Sequence, residues 1–300
     1  MYWTPWIRGK EEREMFERDG ILFRSGLLGG VPGILAGFSC REGGVSALPH
    51  TAALNLTDGL GDDAETVRRN MEIFARSVSR GRYGGEAAVK ARQIHSAKIR
   101  TVGPENAGEG TLREAGEDCD GFVTDAPGVM PVIRVADCAP VLLAGRKEDG
   151  RPVIAAVHAG WRGTVGGIAG EAVRLLLRYG CAAESIRAAV GAHIGFCCYE
   201  VGEDFAAAVA EARGAAFAAR HIRVPGGAEK PHADLTGMNR EILLDAGLTE
   251  AQIDVSPDCT MCGTETYYSH RGMHGKRGTM GAGIVILPPP AGRGPEPIDG

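Results

Sequence analysis

The sequence predicts an α+β protein. Short β-branched runs follow one another in hairpin-like succession, strongly periodic helices interrupt them in blocks, and strict βαβ alternation is absent. The first helix is predicted in 62–80, DDAETVRRNMEIFARSVSR, where Val67, Met71, Phe74 and Val78 form one apolar stripe. Asp62 and Glu65 stand there at capping-box spacing. Strands are predicted in VMPVIRV (129–135), APVLLA (139–144) and PVIAAV (152–157), the last two joined as a hairpin by GRKEDGR. A second helix, 164–180, carries Ile168, Ala172, Leu175 and Tyr179 at helical spacing and stops at Gly180. RAAVGA (187–192) reads as a further strand, and DLTGMNREILLDAG (234–247) as a third helix opening on Asp234 and closing on Gly247. IDVS (253–256) and GIVIL (283–287) are the last two strands.

No internal repeat and no linker divides the chain, so a single domain is expected. The polar, glycine-rich stretch 103–120 reads as a surface loop, and the Pro/Gly-rich tail 288–300 as disordered. Glycine is the compositional outlier, 45 of 300 residues, about twice the usual ~7%. A formal charge of −5 argues against a nucleic-acid binder. No apolar run approaches the ~20 residues of a membrane span, and the N-terminus has no charged-then-apolar leader, so a cytoplasmic protein is expected. Eight cysteines are too few for a disulfide scaffold; free thiols or metal ligands fit better.

Three segments carry a metal-capable side chain at a strand end or turn: His95 in RQIHSAK, Cys138 in VADCAP and His158 in IAAVHAGWRG. Each alone has a plainer reading, a hydrogen-bonded core histidine or a cysteine acting as a small hydrophobe. Their separations of 43 and 20 residues match no local metal pattern. Their company adds weight. Asp137 could orient a ligand from behind, Arg162 offers a bidentate fork for phosphate or carboxylate, and Gly160 and Gly163 would let a ligand approach the main chain. Two cysteine pairs look less promising. Cys259 and Cys262 (CTMC) lack a second CxxC to complete a tetrahedral site, so they read as reduced thiols near a turn. The vicinal Cys197 and Cys198 could form a strained disulfide, but are read as one facing the cleft and one the core. HGKRG places Lys276 and Arg277 between glycines, as an anion site or a solvated basic loop.

Taken together, GFSCREGGVS, ALNLTDGLGDD, RQIHSAK, ADCAPVLL, HAGWRG, CCYEVGEDF, DLTGMNREIL, DCTMC and YYSHRG…KRGTMGAGIVIL resemble one family in order. It is the family of multicopper polyphenol oxidase (laccase) homologues, also described as peptidoglycan editing factor or laccase-domain purine nucleoside phosphorylase. The resemblance covers about 37–287, leaving 1–36 as an N-terminal extension and 288–300 as the tail. It implies a β-sheet sandwich flanked by helices, of cysteine-hydrolase-like type, with a cleft. It also implies His95, Cys138 and His158 as ligands of Zn2+, with Cu2+ possible for the same set. The implied activity is phosphorolysis of adenosine, inosine and methylthioadenosine, with adenosine deamination beside it. The partners are then a small nucleoside and phosphate, with no nucleic acid and no membrane; the oligomeric state stays open.

Arg162 is the first candidate for holding phosphate, followed by Lys276 and Arg277; Arg41, Asn55 and Gln93 are further polar pocket groups. Three alternatives remain: a cysteine-dependent amidase acting on UDP-muramoyl-serine with Cys138 as nucleophile and His158 as base, a copper-dependent polyphenol oxidase, and a non-enzymatic module with a structural metal. The sequence departs from the family pattern at Cys40, where threonine is usual, at Ala192 and His193, where proline and alanine are usual, and at Gly272, where a second arginine is common.

Overall fold

The structure, a computed structural model, describes residues 16–289. The chain runs through β1 (Phe16–Asp19), β2 (Leu22–Ser25), α1 (Gly26–Gly29), β3 (Ile34–Ser39), α2 (Ala64–Val78), β4 (Ala88–Val89) and β5 (Ile99–Thr101). The middle holds β6 (Gly121–Thr124), β7 (Met130–Val135), β8 (Ala139–Arg146), β9 (Pro152–Ala159), α3 (Trp161–Val165) and α4 (Ile168–Arg178). Then follow β10 (Arg187–Val190), α5 (Glu203–Arg213), α6 (Ala215–His221), β11 (Ile222–Arg223), β12 (His232–Ala233), α7 (Leu235–Asp245), β13 (Ile253–Val255) and β14 (Met280–Ile286).

Two six-stranded sheets, ordered β1-β2-β3-β14-β7-β4 and β13-β10-β8-β9-β6-β5, make a sandwich. Alternation along each strand decides what lies on either side. On β8, Leu142 and Ala144 turn into the space between the sheets with Phe38, Ile133, Ala156 and Ile284. Val141 and Leu143 turn outward, where Ile168, Ala172 and Leu176 of α4 and Ile242 of α7 cover them. The outer face of the other sheet, Val132 and Val285, is covered by Met71, Phe74 and Val78 of α2. Gly281 and Gly283 of β14 make that packing possible, because a Cβ on either would lie 3.0 Å from the Phe74 ring. The expected sandwich flanked by helices is the observed fold.

Particular boundaries differ. The cap of α2 is Asp63, which accepts from the Thr66 amide, while Asp62 accepts from Ser46, Thr51 and Asn55 instead. On α4 the buried stripe is Ile168, Ala169, Ala172, Val173 and Leu176, with Leu175 and Tyr179 packed at its margin. Residues 16–36, assigned above to an extension, contribute β1, β2 and α1, and Leu22 and Leu28 are buried. The remainder of that extension and residues 290–300 of the tail lie outside the described residues. The stretch 103–120, expected as a surface loop, ends in two fully buried residues, Cys119 and Asp120. Among the described residues no helix is long and apolar enough to cross a membrane.

The register of the second sheet gathers four chain segments at one edge. β8 and β9 are antiparallel with Pro140 opposite His158, so Cys138, just before β8, arrives where β9 ends. β6 pairs with β9 through Gly121 and Val157, setting Asp120 beside His158. β5 runs parallel to β6, which brings the loop carrying His95 past the same edge.

Candidate active site

At that edge the donor atoms of His95, Cys138 and His158 lie within 4.8 Å of one another. Cys138 Sγ is 3.9 Å from His95 Nε2, and the two imidazoles meet edge to face with centroids 4.8 Å apart. Their burial is graded: His158 is buried, Cys138 half-buried and His95 exposed. One side of the cluster is therefore set in the core and the other faces solvent.

The residue that organises the cluster is Asp120, which the sequence reading missed. Its carboxylate lies 2.8 Å from His158 Nδ1 and accepts the backbone N–H groups of Ile94 (3.3 Å), His95 (2.9 Å) and Ser96 (2.6 Å) and the Ser96 hydroxyl (2.7 Å). Its carbonyl also accepts the His158 N–H at 2.6 Å. One buried carboxylate thus fixes the orientation of one histidine and the backbone of the other. It also holds His95 at a φ of 60°, in the left-handed region that non-glycine residues rarely adopt. Burial pushes the Asp120 carboxyl up, but the His158 imidazole and the Ser96 amide and hydroxyl outweigh it and hold it at about 2. The available signal was an acidic residue directly abutting the apolar run GFV.

Asp137, expected to orient a ligand, has a different task. Its carboxylate accepts from the Thr260 hydroxyl and the Arg271 amide, both at 2.6 Å, and its carbonyl accepts from the Ile194 amide. It ties the segment before Cys138 to the loops beside the cleft.

Burial raises the Cys138 thiol, but His158 and then His95 outweigh it, so the thiol is lowered. Burial lowers His158, but Asp120 and Cys138 outweigh it in turn, so the imidazole is raised. Each group therefore favours the charged form of the other.

His95 and Cys138 of the cluster line a cleft of about 290 Å³ together with Ile94, Asp137, Trp161, Arg162, Ile194, Tyr199 and Leu235, while His158 is buried. Arg162 is exposed there, its guanidinium 4.3 Å from the Trp161 ring centroid. The glycines of HAGWRG act as spacers. A Cβ on Gly160 would stand 2.8 Å from His95 Cδ2, 3.1 Å from Cys138 Sγ and 3.4 Å from His158 Cε1. One on Gly163 would press the Ser96 carbonyl at 2.9 Å.

The other selected residues divide. Arg277 is half-buried, its Nε buried without a hydrogen-bond partner, and it feels the charges of Asp137 and Cys138. Lys276 is exposed, and neither it nor Arg277 is among the residues that line the cleft. Arg41 donates to the carbonyls of Ala52 and Thr264 and stacks 4.7 Å from the Tyr268 centroid. Asn55 is fully buried and bonded to Thr57, Asp62 and Thr279. Gln93 pairs both ends of its amide with the backbone of Arg134 at 2.8 Å. These last three hold loops in place and are not free pocket groups. His193 is likewise internal, bonded to the Gly191 carbonyl and the Thr236 hydroxyl.

The two cysteine pairs set aside above lie together, with Cys259 and Cys262 free thiols at a turn as expected. Cys197, Cys198, Cys259 and Cys262 are free, and their sulfurs all lie within 4.8 Å of one another. None of the four lines the cleft.

The sequence model described as multi-copper polyphenol oxidoreductase laccase matches residues 35–287. A purine nucleoside phosphorylase of Deinococcus radiodurans is 36% identical over 252 residues, covering 84% of this chain and 88% of that protein. Adenosine deaminase RL5, from an unknown prokaryotic organism, is 33% identical over 252 residues, covering 82% and 92% respectively. The crystal structure of YlmD from Geobacillus stearothermophilus superposes with a TM-score of 0.78 at 31% identity, covering 91% of this chain and 99% of that one. The chain therefore belongs to the multi-copper polyphenol oxidoreductase laccase family.

Proposed function

We propose that the protein is a metal-dependent purine nucleoside phosphorylase acting on adenosine, inosine and methylthioadenosine, with adenosine deamination as a second activity. The observation that carries this reading is the meeting of two imidazoles and a thiol at a cleft that His95 and Cys138 line together with Arg162. The names of the relatives point the same way. The donor set fits Zn2+, with Cu2+ possible, and Gly160 leaves bare the space that a Cβ would take from all three donors. A bound ion would supply Lewis-acid polarisation there.

The chain's own groups supply the rest. His158 commits Nδ1 to Asp120, which leaves Nε2 toward the cluster. Trp161 and Tyr199 offer flat aromatic walls to a purine, and Ile94 adds an aliphatic one. Arg162 holds phosphate by a two-pronged contact, and Arg277, which feels the charges of Asp137 and Cys138, adds positive charge. Phosphorolysis forms a bond from a phosphate oxygen to C1′ as the bond from C1′ to the base breaks. Fixing the anion against C1′ while positive charge grows on the ribose is the work of those guanidinium groups.

A second reading is favoured by one observation. Cys138, His158 and Asp120 stand in the order nucleophile, base, orienting carboxylate, with the thiol already lowered. An amidase acting through Cys138 would use that series without a metal. Incubation with inosine separates the two. The phosphorylase releases hypoxanthine only when phosphate is present, with one ribose-1-phosphate per base, and loses at least about 100-fold in rate in Cys138→Ala and on metal removal. Base release indifferent to phosphate overturns the reading. Turnover of UDP-muramoyl-serine by metal-free protein establishes the amidase in its place.

A further inference from the structure

We propose that Cys197, Cys198, Cys259 and Cys262 form a second, four-thiolate site that binds one zinc ion and fastens together the two loops flanking the cleft. The four sulfurs come from a CC pair and a CxxC pair more than sixty residues apart in sequence. Cys262 Sγ lies 3.4 Å from Cys198 Sγ and 3.6 Å from Cys197 Sγ. A tetrahedral ion bound at about 2.3 Å spaces its sulfurs by about 3.8 Å. The observed separations are close to that, and Cys262 faces two partners almost equally, which suits a shared ion better than a pairwise bond.

The surrounding backbone is shaped for sulfur. The Gly195 N–H points at Cys259 Sγ from 3.2 Å. A Cβ on Gly195 would stand 3.2 Å from Cys197 Sγ and 3.5 Å from Cys259 Sγ, so that position keeps the space under the cluster clear. A turn closed by the Gly263 amide on the Cys259 carbonyl presents both sulfurs of the CxxC segment to one side. Burial pushes the Cys259 thiol up, but the amides of Gly195, Cys262 and Met261 outweigh it, so it is lowered. Cys197 is pushed up to about 12 by burial and by the neighbouring sulfurs. A cation relieves that crowding, taking all four as thiolates while their remaining S–H protons pass to solvent.

The position gives the ion its role. Ile194 and Tyr199, which line the cleft, bracket the CC pair. Thr260, inside the CxxC segment, donates its hydroxyl to Asp137 next to Cys138, and its amide donates to the His193 carbonyl. One ion on four sulfurs would bind the Tyr199 wall to the Asp137 support.

Metal content tests this without reference to any activity; the wild-type count includes the ion of the His–Cys–His cluster in the reading above, and the Cys138→Ala and cysteine-protection arms isolate the second site from it. Reduced full-length protein is incubated with ZnCl2, desalted and analysed for zinc per chain. We expect two equivalents for the wild type, one for Cys138→Ala, and one for Cys259→Ser/Cys262→Ser. On native wild-type protein the four cysteines should resist iodoacetamide until a strong chelator is added. Cobalt(II) gives a readout that needs no variant: a four-thiolate centre shows intense sulfur-to-metal charge transfer together with the visible bands of a tetrahedral site. A wild-type chain that binds a single zinc and whose four thiols react freely overturns the proposal. So does an intact mass showing these cysteines joined in pairs in protein kept under reductant.

Discussion

Gly160 is the position where the smallest chemical change should matter most. Adding one methyl group there meets His95, Cys138 and His158 together, at 2.8–3.4 Å. We therefore expect Gly160→Ala to weaken zinc at the His–Cys–His cluster by at least about 10-fold, as supporting residues around metal ligands commonly do. Competition against a chromophoric chelator measures it, and unchanged affinity would refute the spacer role. Asp120 gives a pH-dependent prediction. Its folded value of about 2 lies below the ordinary 3.8. Its contribution to stability is therefore complete above about pH 4 and is lost as pH falls toward 2. Urea unfolding of wild type and Asp120→Asn should differ most near pH 6 and converge by about pH 2; a constant difference would count against this assignment. The three donors were legible through the family resemblance that RQIHSAK, ADCAPVLL and HAGWRG carry, because their spacing alone matches no metal pattern. Asp120 was not, because its strand partner His158 is 38 residues away and its own neighbourhood is polar.

At the level of elements, the β8–β9 hairpin leads in from Cys138, carries His158 near its end and faces two core layers. Leu142 is fully buried between the sheets, whereas Leu177 on α4 is 37% exposed. Leu142→Ala should cost about 2–5 kcal/mol and Leu177→Ala no more than about 0.5 kcal/mol in denaturant unfolding; comparable losses would contradict the layer assignment. Elements with strong periodicity and apolar content could be read from the sequence, α2, α4, α7 and the hairpin among them. The rest were obscured for identifiable reasons. β4 to β6 have four residues or fewer, too short for alternation to show. In α5, EDFAAAVAEAR, alanines fill most of the circumference, and only Phe205 and Val209 are buried. The α2 cap was displaced by one residue because two consecutive aspartates offer the same chemistry, and only the competing bonds of Asp62 select Asp63.

For the molecule as a whole, what the sequence withheld was spatial order. The second sheet runs β13-β10-β8-β9-β6-β5, so neighbours in space are remote in the chain. That order joins a strand end, two strand starts and a loop around one cluster, and periodicity carries no information about it. The four sulfurs at Cys197, Cys198, Cys259 and Cys262 were hidden for the same reason, since a CC pair does not announce itself as half of a tetrahedron. The edge on which His95, Cys138 and His158 gather has a kinetic consequence. Its scaffold consists of paired strands and a carboxylate already saturated with amide donors. Backbone pairing and the Asp120 carboxylate hold that receptacle in shape through bonds that do not involve the ion, so exchange of the ion should proceed at the speed of ligand substitution and leave the surrounding polypeptide folded.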